Sequence, residues 1–166
     1  MRIDRLEYAD AKEVLAVNNA SKDYHAPWAS PPIDMAAFDL WYGQTLTGPN
    51  LSFVIRRLSE GEVVGIVNIS QIVWGVFRSA YLGYYGSAAF AGKGYMTEGL
   101  ALVVQHAFKD IGLHRLEANI QPDNQSSIKL VSSLGFIREG FSREYLKIDG
   151  SWRDHERWAL VDMKDL

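Results

Sequence analysis

The sequence predicts a single α+β (mixed α/β) domain over residues 1–166, with about seven mostly antiparallel strands flanked by about four helices. Three observations predict it. The chain has 166 residues, about one domain's length, and its 48% hydrophobic and 22% charged residues are ordinary globular values. Alternating, β-branched segments are interspersed with segments of helical spacing. Short turn signals, Ser59-Glu60-Gly61 and Asp149-Gly150, join neighbouring strands as hairpins.

Residues 2–7 alternate and read as a strand. Asp10 with Glu13 forms a capping-box pattern that opens a helix running to about Ala20. Residues 26–32 hold three prolines, which fix φ and lack backbone donors, so this segment is a loop. Asp34 caps a second helix carrying Met35, Phe38, Leu40 and Trp41. Residues 51–57 and 62–71 are β-branched and apolar, and residues 79–86 form another strand. Over residues 97–110 apolar side chains recur at Leu100, Val103, Val104, Ala107 and Phe108, a helical spacing that Gly112 ends. A strand over residues 115–121 and a short helix over residues 126–134, closed by Gly135, follow. The segments 136–148 and 151–161 flank Asp149-Gly150, the strongest short hairpin signal.

Composition excludes several function classes. With no cysteine there is no disulfide framework, thiolate zinc site or cysteine nucleophile, which fits a reducing compartment. A net charge of −3, with Arg56-Arg57 the longest basic run, argues against nucleic acid as a partner. The first residues carry no apolar signal region, and apolar stretches stop well short of a membrane span, so a cytoplasmic protein is expected. His25, His114 and His155 have no metal-ligand spacing, so no metal is expected. His155 reads as a hairpin residue, and His106 with Asp110 as one face of an amphipathic helix.

One segment carries chemistry. Gly92-Lys93-Gly94-Tyr95-Met96-Thr97 lies between a strand and a helix. Two glycines one residue apart let the backbone turn tightly, and the helix N-terminus offers free N–H groups and a positive dipole end to an anion such as pyrophosphate. Thr97 stands where a Rossmann fingerprint needs glycine, and Gly94 follows Lys93 where a P-loop needs Ser or Thr, so neither pattern holds. One strand later, Asn124 and Ser127 open a helix that ends Leu134-Gly135-Phe136.

Together these residues resemble the GCN5-related N-acetyltransferase (GNAT) superfamily. Within it, Gly92 to Glu98, residues 114–117, Pro122-Asp123-Asn124, Glu139-Gly140 and residues 145–155 are similar to the RimJ/RimL-like N-terminal acetyltransferases of ribosomal proteins. The sequence departs from the family at Ala91, where Arg or Gln is usual, and at Met96, where Gly or Ala is usual.

The resemblance implies direct attack of an amine on acetyl-CoA, with no metal. It implies that Tyr84, Tyr85 and Gly86 offer backbone groups to the pantetheine arm. Gly92, Lys93, Gly94, Tyr95, Met96 and Thr97 would cradle the pyrophosphate through backbone N–H groups, with Asn124 and Ser127 beside them. The family's acid, a tyrosine seven residues after the asparagine, is Val131 here. Ser127 is implied instead, as donor to the leaving thiolate, against the simpler reading of a helix-capping serine. Glu117, Asn119 and Glu144 are candidates around the amine, although Asn119 stands where relatives carry Glu and cannot act as a base. Tyr24, Trp28, Trp41 and Tyr42 either wall the acceptor site or form a satellite core. The implied function is acetyl transfer from acetyl-CoA to a primary amine, a protein N-terminus such as that of a ribosomal protein. The alternatives are a small-amine acetyltransferase, for an amino acid, polyamine or toxin, and a non-catalytic acyl-CoA sensor.

Overall fold

The structure, a computed structural model, describes residues 1–162, and the last four positions of the expected domain lie outside them. The strands are β1 (Arg2–Arg5), β2 (Leu51–Arg56), β3 (Val63–Val73), β4 (Ser79–Gly86), β5 (Arg115–Ile120), β6 (Ile137–Ile148) and β7 (Ser151–Val161). They form one sheet in the order β1-β2-β3-β4-β5-β7-β6. The helices are α1 (Ala11–Ala20), α2 (Lys22–His25), α3 (Met35–Thr47), α4 (Tyr95–His106) and α5 (Gln125–Ser133). The one-turn α2, between the expected first helix and the proline loop, makes five α-helices among the described residues where about four were expected.

Local chemistry explains the other differences. Asp10 and Glu13 do not form a capping box. Asp10 instead pairs reciprocally with Glu7 around a 3-10 turn, its carboxylate accepting from the Glu7 N–H at 2.8 Å. Arg56 draws both carboxylates to the sheet, at 2.8 Å from Asp10 and 2.6 Å from Glu13. Asp34 caps α3 as expected, accepting from the Ala37 N–H at 2.9 Å. The helix over the glycine segment begins at Tyr95 and passes into a π-helical turn, Ala107–Ile111, before Gly112 stops it at φ +82°. Asp149 and Gly150 both have positive φ, as a tight two-residue hairpin turn requires.

Apolar alternation along the central strands buries both sheet faces. Leu100, Val103 and Val104 of α4 and Val131 of α5 pack with Leu82 and Leu116 on one face. Val14 of α1 and Phe38 of α3 pack with Val54 and Ile66 on the other. Among the described residues the only parallel neighbours are β4 and β5, and their pairing is short, ending at Tyr81 opposite Glu117. Beyond it β4 stays with β3 as far as Gly86, while β5 stays with β7 as far as Ile120. The sheet therefore opens into a wedge between residues 82–86 and 118–120.

Candidate active site

Three cavities follow one another from this wedge to the glycine loop. The first, about 330 Å³, lies between Leu82–Tyr85 and Ala118–Gln121 and is also lined by Trp28 and Trp41. The second, about 130 Å³, runs beside Gly86 between His25 and Leu130. The third, about 320 Å³, is bounded by Gly92, Gly94, Thr97 and Lys129. Trp28, Tyr84 and Ser127 line both the first and the second. Tyr24, Met96 and Ser126 line both the second and the third. The result is one trench from the glycine loop to the wedge.

The glycine loop fits an anion. Gly92 and Gly94 have φ of +72° and +77°, which side-chain-bearing residues rarely adopt. The first bond inside α4 is Glu98 N–H to Gly94 carbonyl at 3.1 Å, so the preceding N–H groups of Tyr95, Met96 and Thr97 remain at the helix end. Two side chains of the loop turn elsewhere. Lys93 folds back, its Nζ donating to the Ala89 carbonyl at 3.2 Å. The Tyr95 ring leans on Phe90 and takes the Arg57 guanidinium at 5.8 Å. Neither residue lines the trench. Lys129 of α5, not picked out from the sequence, lines the same cavity and adds a cation. Met96, in place of the family's small residue, has room because Gly65 and Gly86 face it. A Cβ on Gly65 would stand 2.4 Å from the Met96 sulfur, and one on Gly86 2.9 Å from its Cγ.

At the wedge, Asn124 is the N-cap of α5, its Oδ1 accepting from the Ser127 N–H at 3.2 Å and the Ser126 hydroxyl at 2.9 Å. Ser127 is therefore capped rather than capping. Its hydroxyl instead lies 2.5 Å from that of Tyr84, which crosses from β4. Burial pushes the Tyr84 phenol up to about 12, so it keeps its proton at neutral pH. The pair is a reservoir of donatable protons inside the trench. Tyr85 lines the first two cavities while its ring packs with the core on the other sheet face, where burial raises its phenol pKa. Beside it the buried His25 donates from Nε2 to the Gly86 carbonyl at 2.8 Å and fixes the end of β4. This contact has no signature in the sequence, because a lone histidine carries no marker of the strand it meets.

The candidates around the amine separate. Asn119 lines the 330 Å³ cavity. Glu117 does not. It is ion-paired to Arg115 at 3.0 Å and lines a smaller cavity with Phe77 and Tyr81. Glu144 is exposed in a bulge of β6 at φ +46°, its N–H held by Asp154 at 2.7 Å, and lines none of these cavities. The aromatics separate too. Trp28 and Trp41 line the wedge cavity. Tyr24 lines the two cavities towards the glycine loop, and so stands over the expected cofactor path. Tyr42 is core: its ring stacks on Phe38 at 5.8 Å, one helical turn away, and packs edge-on against Tyr8. His106 and Asp110 pair at 2.7 Å on the exposed side of α4, away from the trench.

Among the described residues no group of three or more His, Asp or Glu side chains is placed to hold a metal, and no helix is long and apolar enough to cross a membrane.

Comparison with known proteins gives the trench a context. Residues 1–137 match the acetyltransferase (GNAT) domain family. A probable N-acetyltransferase of Bacillus subtilis, YjcK, is 32% identical over 175 residues, which cover 96% of this chain and 93% of the relative. The ribosomal protein uS5-alanine N-acetyltransferase of Escherichia coli is 42% identical over 102 residues, covering 61% of this chain and 53% of that enzyme. The structure of Mycobacterium smegmatis RimJ in complex with CoA-disulfide superposes with a TM-score of 0.85 at 30% identity, covering 96% of this chain and 81% of that one.

Proposed function

The chain belongs to the acetyltransferase (GNAT) domain family, and on that premise we propose that this N-acetyltransferase moves the acetyl group of acetyl-CoA to the α-amine of a protein N-terminus, of the ribosomal-protein alanine or serine type. The glycine loop and Lys129 take the pyrophosphate, and the edge of β4 from Tyr84 to Gly86 takes the pantetheine arm. Ser127 gives its proton to the departing thiolate, with Tyr84 behind it at 2.5 Å. An acceptor of this kind is met in the cytoplasm.

One observation carries the choice of acceptor. The wedge cavity is walled by Trp28, Trp41, prolines and neutral amides, and among the described residues no Asp, Glu, Lys or Arg lines it. A polyamine brings several cationic centres, and burying them without carboxylate partners is unfavourable. A peptide N-terminus brings one amine, a short side chain and backbone amides, which Asn68, Asn119 and Gln121 suit. The test is thiol release from acetyl-CoA with peptides beginning Ala or Ser, set against spermidine and free alanine. The expected result is a kcat/KM at least tenfold higher for the peptides, and preference for spermidine overturns the reading.

A further inference from the structure

The wedge cavity contains an imidazole to which the roles above give nothing to do. His155 lies on β7, opposite Ser142 of β6, and is only 3% exposed, yet it lines the cavity together with Asn119, Gln121 and Trp28. Its Nδ1 is 2.9 Å from the Arg153 carbonyl oxygen. A carbonyl only accepts, so Nδ1 carries the ring proton and Nε2 carries the lone pair. No described residue hydrogen-bonds to Nε2, and it is not sealed off among the buried polar atoms, so the lone pair opens on the cavity. The Tyr145 ring, 6.3 Å away and edge-on, holds the imidazole plane from β6. The charged and titratable neighbours are few: Asp154 on its own strand and Tyr145 across from it. Burial outweighs the Asp154 charge and lowers the His155 pKa below its ordinary value, so the ring is neutral at pH 7.

We propose that Nε2 of His155 is the general base of the acetyl transfer. The acceptor nitrogen forms its bond to the acetyl carbonyl carbon, and the C–S bond breaks. Nε2 of His155 takes the proton that the nitrogen sheds, and the sulfur takes one from the Ser127–Tyr84 hydroxyl pair. Solvent then removes the proton from His155 and restores the hydroxyl, which leaves amide and free thiol as the net products. The step requires only an amine acceptor, so it stands or falls separately from the choice between a peptide and a polyamine.

His155→Asn tests it, because the carboxamide keeps a donor near the Nδ1 position for the Arg153 carbonyl and removes the base. Thiol release is followed from pH 6 to 9 with an alanine-terminated peptide and with spermidine, and the variant is compared on whichever acceptor the wild type acetylates. The expected result is a kcat/KM about 100-fold or more lower at pH 7, with the KM for acetyl-CoA little changed. Added imidazole should restore part of the loss, and the deficit should narrow towards pH 9 as the amine deprotonates unaided. A variant within threefold of wild type at pH 7, with the same pH profile, overturns the proposal. Should the variant not fold, nitrogen-15 NMR of the wild-type ring decides: a neutral Nδ1–H tautomer at pH 7 is expected, and an Nε2–H tautomer or an imidazolium sinks the base. Activity with spermidine but not with the peptide would overturn the acceptor reading and leave the His155 comparison intact.

Discussion

At the scale of single residues, the proposed proton source for the leaving thiolate is the hydroxyl pair of Tyr84 and Ser127. A departing thiolate needs a nearby proton, and the two hydroxyls, 2.5 Å apart, are placed to supply one. The Tyr84 phenol, at about 12, holds its proton firmly until charge develops next to it. Ser127 is the nearer donor in this reading. Ser127→Ala should therefore lower kcat by about 100-fold or more while moving the KM for acetyl-CoA little, because the bond is made mainly in the transition state. Tyr84→Phe should cost less, since Ser127 remains and can be resupplied by water. Steady-state kinetics at saturating acceptor checks both, and an unchanged kcat in Ser127→Ala would reduce the residue to packing. The spacing of Ser127 from Asn124 made the serine legible in the sequence. Its partner was not, because Tyr84 reaches it across 43 residues and only the opening of the sheet brings them together. His155 reads as a hairpin residue, and its place at the cavity is hidden for the same reason. It is one, but β7 pairs with β5 and so turns it into the wedge.

At the scale of elements, the strand–loop–helix passage from β4 to α4 is governed by backbone conformation and by one close fit. A Cβ built on Gly94 would meet no protein atom within 4 Å, so space inside the protein does not demand glycine there; its φ of +77° does. Holding a β-branched residue in that region costs of order 1–3 kcal/mol, and the loop can relieve it by turning its N–H groups out of register. Gly94→Val should leave the fold intact and weaken CoA binding by about tenfold or more, since about 1.4 kcal/mol is a factor of ten. Calorimetry with CoA measures it, and an unchanged affinity would remove the pyrophosphate from this loop. Gly65 poses the opposite case. A Cβ there stands 2.4 Å from the Met96 sulfur and 2.7 Å from the Tyr85 carbonyl oxygen. Gly65→Ala should lower Tm by about 2–12 °C, from an overpacking cost of about 1–3 kcal/mol in a domain this size. Adding Met96→Ala should recover part of the loss, because it removes the sulfur but leaves the carbonyl. An unshifted Tm would show that the helix start can move away. The glycine loop and the α3 cap were readable because a turn and a cap are local chemistry. The service of Gly65 to Met96 was not, since the contact joins a mid-strand glycine to a helix two elements later.

At the scale of the whole molecule, the order of strands and helices follows from local patterns, whereas the wedge follows from register. β4 and β5 each have a better partner on their far side, β3 and β7, and part after three residue pairs. No sequence period records that parting, although it is what opens the neutral, aromatic-walled cavity between residues 82–86 and 118–120. The lining of that cavity has a consequence for selectivity. An α-amine has an ordinary pKa near 7.7–8.0 and a lysine near 10.4, a gap of about 2.5 units or roughly 3.4 kcal/mol in the cost of a neutral nitrogen. About a tenth of an α-amine is already neutral at pH 7, but well under a thousandth of a lysine. A carboxylate near the lysine could hold it in place, yet among the described residues none lines the cavity, and the one imidazole that does is a weaker base than usual because it is buried. The enzyme should therefore acetylate a free N-terminus at least tenfold better than a lysine side chain in matched peptides. The measurement is kcat/KM at pH 7 for an alanine-terminated peptide against its N-blocked, lysine-bearing counterpart. Raising the pH should narrow the gap, because the lysine gains neutral form across a range where the α-amine is already spent of its proton. Equal rates at pH 7 would mean that a strong base reaches the cavity after all, and Glu117, two residues along β5 from Asn119, would be the first side chain to remove.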